Sequence, residues 1–304
     1  MSSTPKMIFD RGLIRRRLMR AAHREPSLFL LDYVVEDLCE RLSFIKRSFT
    51  AIADIGTPAP VLAQALVRQY PEGKIVWMNP ALPSDGKSFP KPQPYQQIVG
   101  DLEALPFGKE AFDLATSALA LHYANDLPGI LIQIRQSLKP DGLFLGCLLG
   151  GQTLHELRTC LATAESELCG GISPRVAPFA DVRDMGGLLQ RAGFALPVAD
   201  SDVVCVRYQH LFALLADLRG MGATNSLEER LRKPTRRALF LRAAELYAER
   251  FSDPDGRIRA TFELIYVSGW VPHESQQKPL RPGSAQMRLA DVLPTKTYEP
   301  PKGT

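Results

Sequence analysis

No two cysteines of this sequence are spaced as C-x-x-C, although five cysteines are present among its 304 residues. That spacing is typical of structural zinc sites and of redox-active dithiols, so its absence argues against both. The histidines are scattered, and no H-x-x-x-H pair or carboxylate triad occurs, so we expect no metal site. The cysteines stand in apolar or helical contexts, which favours a reducing compartment.

The sequence also lacks an apolar run of about 18 residues, the length that a membrane-spanning helix needs. No signal-peptide-like apolar segment opens the chain. The Arg-rich start resembles a mitochondrial presequence, but Asp10 and Glu25 interrupt it and a folded pattern follows directly. We therefore expect a cytoplasmic location.

A strong charge of either sign is missing as well, because the net charge is +4 and the isoelectric point is about 8.8. Nucleic-acid-binding proteins usually concentrate more positive charge, so no nucleic-acid partner is expected. The densest basic segment, RGLIRRRLMRAAHR, is a predicted helix near the N-terminus. A solvated or partner-facing helix is the simpler interpretation, and a peripheral contact with a membrane surface is the alternative.

The segment DIGTPAP, Asp54 to Pro60, lacks glycines where a ligand-binding turn usually has them. Strand–turn–helix units that hold nucleotide-type cofactors commonly repeat glycine at every second position of the turn. Gly56 is present, but Pro58 and Pro60 occupy the next two such positions. Proline has no N–H to donate and fixes φ at about −65°, so the usual backbone path is forbidden here. Cofactor binding at this turn is thus an open alternative to a fold that has lost its ligand.

Apolar patterning predicts an α/β fold that follows N-terminal helices. Nearly all-apolar strands alternate with amphipathic helices, which indicates a parallel sheet covered on both faces. The predicted strands are AIAD, KIVWMN, YQQIVGD, AFDLATSALALHY, GLFLGCLLGG, VADSDVVCVRY and ATFELIYVSGWVP. KPDG is expected to end the helix before the fifth strand. We expect N-terminal helices in residues 1–48, an α/β domain in 49–270 with a helical insertion at about 211–251, and an irregular tail in 271–304.

Ligands of parallel sheets bind outside the carboxyl ends of the strands, so the residues there are the candidates. They are Asp54, Gly56 and Thr57 after the first strand, Asn79 after the second, Asp101 and Leu102 after the third, and Ser117 and His122 in the fourth. His122 is the titratable group among the last set and is the weak candidate for a general base. Packing beside Tyr123 is the competing interpretation of His122.

The segment GDLEALPFGKEAFDLATSALALHY, followed by LPGILIQIRQSLKPDGLFL, resembles the class I S-adenosylmethionine-dependent methyltransferases. The resemblance implies a Rossmann-like, seven-stranded, mostly parallel sheet whose last strand is antiparallel. It implies S-adenosylmethionine as the cofactor. The residues that it implies as cofactor contacts are Asp54, Gly56, Thr57, Asn79, Asp101, Leu102 and Ser117. The family commonly has an acidic residue at the ribose position, where this chain has Asn79.

Three further segments extend the resemblance over almost the entire chain: IFDR near the start, GGQTLHELRTCLATAESELCGGISPRVAPF, and SGWVPHESQQKPLRPGSA near the end. They are similar to the family that contains the mitochondrial complex I assembly factor, described as a protein-arginine hydroxylase, and its alphaproteobacterial relatives. The biotin-synthesis malonyl-carrier-protein methyltransferase is related to it. Since IFDR begins at Ile8, the bacterial version is expected. A subunit of respiratory complex I is the implied protein partner.

Three functions remain open from the sequence. The first is modification of a protein, by arginine hydroxylation or methyl transfer, as the resemblance implies. The second is a non-catalytic assembly scaffold that no longer binds the cofactor, for which Pro58, Pro60 and Asn79 are the evidence. The third is methyl transfer to a small molecule or to a carrier protein.

Overall fold

A computed structural model describes residues 7–23, 26–81 and 93–276 of the chain. The helices in these ranges are α1 (Arg11–Ala22), α2 (Phe29–Ser43), α3 (Val61–Gln69), α4 (Leu127–Ser137), α5 (His155–Cys169), α6 (Val182–Arg191), α7 (Leu211–Gly220) and α8 (Arg237–Phe251). The strands are β1 (Ala51–Ile55), β2 (Lys74–Asn79), β3 (Gln96–Val99), β4 (Phe112–Ala118), β5 (Leu138–Leu149), β6 (Ala195–Tyr208) and β7 (Ile258–Trp270).

The seven described strands form one sheet in the order β3-β2-β1-β4-β5-β7-β6. The first five strands pair in parallel, and β7 is antiparallel to both β5 and β6. The predicted mostly parallel sheet with an antiparallel last strand is therefore confirmed. The predicted helical insertion is present as α7 and α8, between β6 and β7.

Two apolar cores lie on the two faces of the sheet. One core packs α2, α3, α5, α7 and α8 against one face, and its largest fully buried side chains include Tyr247 and Tyr266. The other packs α4 and α6 against the opposite face, with Ile130 and Met185 fully buried. Coverage of both faces explains why β4 and the second part of β5 are buried without alternation.

Two sequence predictions about the middle of the chain were wrong in detail. The predicted fourth strand is too long, because β4 ends at Ala118 and residues Leu121–Tyr123 form a 3-10 turn. Leu119 there has φ of 51°, a left-handed conformation that leucine seldom adopts and that apolar patterning does not reveal. KPDG does not separate α4 from the next strand, because β5 already begins at Leu138. Asp141, with φ of 60°, forms a bulge-like irregularity inside that strand.

The described residues up to Pro272 belong to one compact unit, and His273 begins a second. Most of the predicted irregular tail lies outside the described residues, so the proposed domain limits stay a prediction. In the part of the chain that the structure describes, no helix is long and apolar enough to cross a membrane.

Candidate functional site

The turn after β1 is held open by Gly56. Its φ is 79°, a left-handed conformation that glycine adopts without strain. A Cβ at this position would lie 2.5 Å from Leu102 Cδ2 and 3.0 Å from Ala120 Cβ. The Gly56 amide donates to the carbonyl of Met78 in β2 at 2.7 Å. The glycine therefore allows the end of β1 to lie close to the segments that follow β3 and β4.

Thr57 is fully buried and ties the same strand ends together. Its hydroxyl donates to the carboxylate of Asp54 and accepts from the amide of Ala118 at 3.1 Å. Its carbonyl accepts from Trp77 Nε1 at 3.0 Å and from Asn79 Nδ2 at 2.8 Å. Because its hydroxyl and its carbonyl are both used within the protein, the Thr57 side chain supports the turn rather than facing a ligand.

Asn79 has capacity left for a ligand. Its amide nitrogen donates to Thr57, and its oxygen accepts from the amide of Ala81 at 2.7 Å. An amide side chain has two N–H donors and two acceptor lone pairs, so one of each is unused by these bonds. Ser117, in contrast, is fully buried, and its hydroxyl donates to the Ile55 carbonyl at 2.7 Å. Asn79 faces the cavity described below.

The third strand end is joined to helix α1. Asp101 forms an ion pair with Arg11, which also lies 3.2 Å from Glu103 Oε2. Asp101 also accepts from the Glu103 amide at 3.0 Å. Leu102 fills the space that a side chain at Gly56 would need. Both predicted contact residues are thus engaged within the protein.

Asp54 is a buried carboxyl whose Oδ2 has no hydrogen-bond partner in the described residues. Burial raises the pKa of Asp54 to about 8, although the Thr57 hydroxyl and the Ala63 N–H lower it. The carboxyl is therefore largely protonated at neutral pH. A neutral Asp54 suits its position below the turn, because an uncompensated buried charge would be unfavourable there.

A cavity of about 790 Å³ opens at the carboxyl ends of β1, β2, β4 and β5. Pro58 and Pro60 line it after β1, Asn79 at the end of β2, Leu119 after β4, and Leu149 at the end of β5. Ligands of open α/β sheets bind at this edge, and pockets of about 300–1,000 Å³ hold small molecules. Position and size both fit a cofactor together with part of a substrate.

His122 and Tyr123 line the cavity in the 3-10 turn after β4. Burial lowers the pKa of His122 to about 3, so the imidazole is neutral at pH 7. Its Nδ1 is buried and has no hydrogen-bond partner in the described part of the chain. The ring lies 4.2 Å from that of Tyr123 and 5.7 Å from that of Phe179, measured between centroids. His122 thus packs on aromatic rings and also lines the cavity, and its role as a general base stays a prediction.

The IFDR segment closes the cavity from the N-terminal side. The amides of Ile8 and Phe9 both donate to Asn125 Oδ1 at 2.8 Å. The Asp10 amide donates to the Ser226 carbonyl at 2.8 Å, and the Asp10 carboxylate caps α1. Helix α1 is held in this way beside the strand ends, where its residues Arg17, Leu18 and Ala21 line the cavity.

Replacing Asn125 by alanine is expected to loosen this closure. The exposed Ile8 amide and the part-buried Phe9 amide lose their acceptor, and leaving a buried donor such as that of Phe9 unsatisfied costs about 1–3 kcal/mol. Hydrogen exchange followed by mass spectrometry should show faster exchange in residues 8–22, with the sheet unchanged. Gln190→Ala on the exposed face of α6 is the control. Equal exchange of α1 in the wild type and in Asn125→Ala would contradict this role.

The sequence-predicted residues thus divide into three groups. Asn79 and His122 line the cavity, whereas Asp54, Thr57 and Ser117 are buried side chains that do not line it. Gly56, Asp101 and Leu102 do not line it either. Sequence reasoning missed Arg17 and the two aromatic residues Phe9 and Trp77 in the cavity wall. For the N-terminal part of the cavity wall, the only indication in the sequence is the IFDR segment, which is part of the family resemblance. In the described residues, no group of three or more His, Cys, Asp or Glu side chains could hold a metal ion.

Comparison with known proteins gives one matching family model and close relatives. Residues 54–146 match the model described as a methyltransferase domain. The arginine-hydroxylase NDUFAF5, mitochondrial, of Rattus norvegicus is 40% identical over 96% of this chain and 86% of its own length. The malonyl-[acyl-carrier protein] O-methyltransferase of Xylella fastidiosa is 33% identical over 87% of this chain and 89% of its own length.

The fold is also similar to solved methyltransferase-type structures. A protein of Bacillus halodurans, provisionally identified as a methyltransferase, aligns with a TM-score of 0.52 at 19% identity, over 78% of this chain and all of its own. The predicted cytoplasmic location is contradicted, because the rat relative is a mitochondrial protein by name. That prediction rested on the missing apolar segments and on the acidic residues that interrupt the Arg-rich start. The Arg-rich start forms helix α1, and a helix of the fold carries no information about compartment.

Proposed function

Since this chain belongs to the family of the arginine-hydroxylase NDUFAF5, we propose that it is an S-adenosylmethionine-binding enzyme that modifies an arginine of a respiratory complex I subunit. The observation that supports binding of this cofactor is the cavity at the carboxyl ends of four neighbouring strands. The protein target comes from the family. The reaction favoured by the family is hydroxylation, and methyl transfer is the general reaction of proteins with this fold.

The residues in the cavity wall fit the cofactor, with a different donor set from a glycine-rich turn. Asn79 offers one N–H and one lone pair, which suit a ribose hydroxyl. Pro58, Ala59 and Pro60 offer an apolar surface, because the prolines have no N–H to contribute. When bound, S-adenosylmethionine supplies an electrophilic methyl group on its sulfonium.

His122 has the properties of a positioning group rather than a proton carrier. A base whose pKa is about 3 accepts a proton poorly at neutral pH, because general bases work best near the ambient pH. Its buried Nδ1 has no hydrogen-bond partner in the described residues, so it is available to a polar group of a ligand. We propose that His122 orients a polar group of the bound substrate. Tyr123, whose pKa burial raises to about 12, stays protonated and is available as a donor.

A non-catalytic assembly scaffold is the second candidate. The observation that favours it is the loss of two backbone donors at Pro58 and Pro60. The arrangement of Asp101 and Leu102 agrees with this alternative, since both are engaged by other protein groups. The enzyme and the scaffold differ in one measurable property: only the enzyme changes the partner protein chemically.

The test is mass analysis of the target subunit after incubation with the protein. The unmodified subunit is incubated under air with the protein and methyl-labelled S-adenosylmethionine. An extract of cells that lack the protein is added as the source of reductant. Gain of one oxygen atom on an arginine supports hydroxylation, and gain of the labelled methyl group supports methyl transfer. A subunit that binds the protein but gains neither group contradicts the enzyme and supports the scaffold. The double variant Pro58→Gly, Pro60→Gly then distinguishes a decayed enzyme, which gains methyl transfer, from a loop adapted to no cofactor.

A further inference from the structure

The charged side chains of the described cavity wall are all positive. The described residues that line it include five arginines and no aspartate, glutamate or lysine. These arginines are Arg17, Arg175, Arg219, Arg230 and Arg232. Because these residues include no carboxylate that could pair with a substrate arginine, this part of the wall suits a negatively charged group of a ligand rather than the arginine of the proposed function.

Three of the five arginines are already paired with carboxylates outside the wall. Arg175 Nη2 lies 2.7 Å from Glu165 Oε1, and this ion pair lowers the pKa of Glu165 to about 2. Arg230 Nη2 lies 3.1 Å from Asp10 Oδ2. Arg232 is paired with Glu228, its neighbour four positions earlier in the chain. The positive charge of these three side chains is therefore largely compensated.

Arg17 is different. Its Nη1 donates to the hydroxyl of Ser226 at 3.2 Å, and no described carboxylate lies within salt-bridge distance. Ser226 is buried and lines the cavity, so this bond places the guanidinium at the wall rather than in solvent. Burial lowers the pKa of Arg17, with the neighbouring Arg230 acting in the same direction. A partly desolvated cation with no described carboxylate within salt-bridge distance, and with most of its N–H groups unused, is an anion-binding group.

The surroundings of Arg17 complete a polar corner in an otherwise apolar cavity. Arg17 lies near Tyr123, because burial raises the pKa of the Tyr123 phenol and the positive charge of Arg17 opposes that rise. The Tyr123 ring lies beside His122 with its unpartnered Nδ1. Phe9 packs edge-on against Tyr123 at 5.8 Å, which shields this corner on the side of the N-terminal segment. Arginine, phenol and imidazole together can give an anionic oxygen several donors in one place.

We propose that Arg17 binds the carboxylate of the ligand that occupies this cavity, with the Tyr123 hydroxyl as a second donor. Carboxylate and guanidinium match as a bidentate pair. The carboxylate belongs either to the amino-acid part of the cofactor or to an acidic substrate with an apolar body. The first source rests on the proposed function, whereas the second does not require it.

Calorimetric titration with two probes tests the cofactor as the source. S-adenosylhomocysteine carries the carboxylate, and 5′-methylthioadenosine lacks the entire amino-acid part. In Arg17→Gln, affinity for S-adenosylhomocysteine should fall by about tenfold to a hundredfold, since a hydrogen bond to a charged group is lost. Affinity for 5′-methylthioadenosine should stay the same. Arg15→Gln, on the exposed face of α1, should change neither affinity, and Arg17→Lys should recover part of the loss.

A second pair of probes tests an acidic substrate as the source. Decanoate and decanol share an apolar chain and differ in charge at the head. If the wild type binds decanoate, Arg17→Gln does not, and both bind decanol equally, the site is assigned to a substrate carboxylate. Circular dichroism confirms that each variant is folded. If neither carboxylate probe binds more weakly to Arg17→Gln than to the wild type, the proposal is overturned. A wild type that binds no adenosine probe contradicts the proposed function, and the decanoate pair then still decides the role of Arg17.

Discussion

Replacing Gly56 by alanine is expected to lower the free energy of unfolding by about 2–4 kcal/mol and to weaken cofactor binding at least about tenfold. The added Cβ would lie 2.5 Å from Leu102 Cδ2, and the φ of 79° is unfavourable for any residue with a side chain. The turn must shift to relieve both effects. Because Pro58 and Pro60 follow directly and line the cavity, its wall moves with the turn.

Chemical denaturation and calorimetric titration of the same sample separate the two effects. The double variant Gly56→Ala, Leu102→Ala should recover part of the lost stability, because it removes the clash and leaves only the backbone strain. Gly108→Ala is the matched control, since a Cβ there would meet nothing within 4 Å. A folded Gly56→Ala protein with unchanged stability and unchanged affinity would contradict this account of the turn.

The second large effect concerns the pH dependence of stability, which Asp54 is expected to dominate. The pKa of Asp54 is about 8 in the folded protein, against 3.8 for an unperturbed carboxyl. Between these values the folded state holds a proton that the unfolded state has released, so unfolding releases a proton. Raising the pH therefore lowers stability from about pH 4 to about pH 8, and the dependence levels off above that. The expected change across this range is on the order of 5 kcal/mol.

Asp54→Asn should remove this component, because an amide accepts the Thr57 hydroxyl bond but does not titrate. The measurement is the free energy of unfolding by urea at several pH values for the wild type and the variant. The difference between the two curves should grow in favour of the variant as the pH rises towards 8. Asp32→Asn, at an exposed carboxyl of α2, is the control. Parallel curves for the wild type and Asp54→Asn would show that Asp54 is ionised throughout this range.

The sheet was predictable because its signals are local or repeat along the chain. Apolar strands that alternate with amphipathic helices indicate a parallel sheet, and the resemblance added the antiparallel last strand. The same reasoning placed Asn79 and His122 at the cavity, since carboxyl ends of neighbouring parallel strands meet at one edge. Leu119 escaped prediction, because a left-handed leucine depends on contacts that no local pattern records.

The roles of the individual polar groups could not be predicted from the sequence. Thr57 follows the glycine like a ligand-binding residue, yet hydrogen bonds from β2 and β4 use its polar atoms within the protein. Arg15, Arg16 and Arg17 are equivalent in the sequence. Only the rotation of α1 against the segment at Ser226 selects Arg17 for the cavity wall. Such selection depends on tertiary packing between distant segments, which is why sequence reasoning treated this helix as a solvated basic face.

The central claim is that the cavity at the carboxyl ends of the strands binds S-adenosylmethionine, and calorimetric titration of the purified wild-type protein tests it most directly. Native mass spectrometry of the same preparation reveals ligand that is already bound. The account predicts saturable binding of one cofactor per chain, or release of one co-purified adenosine ligand. A folded sample that shows neither heat of binding nor bound ligand would contradict the claim, and Pro58 and Pro60 would then mark a closed site.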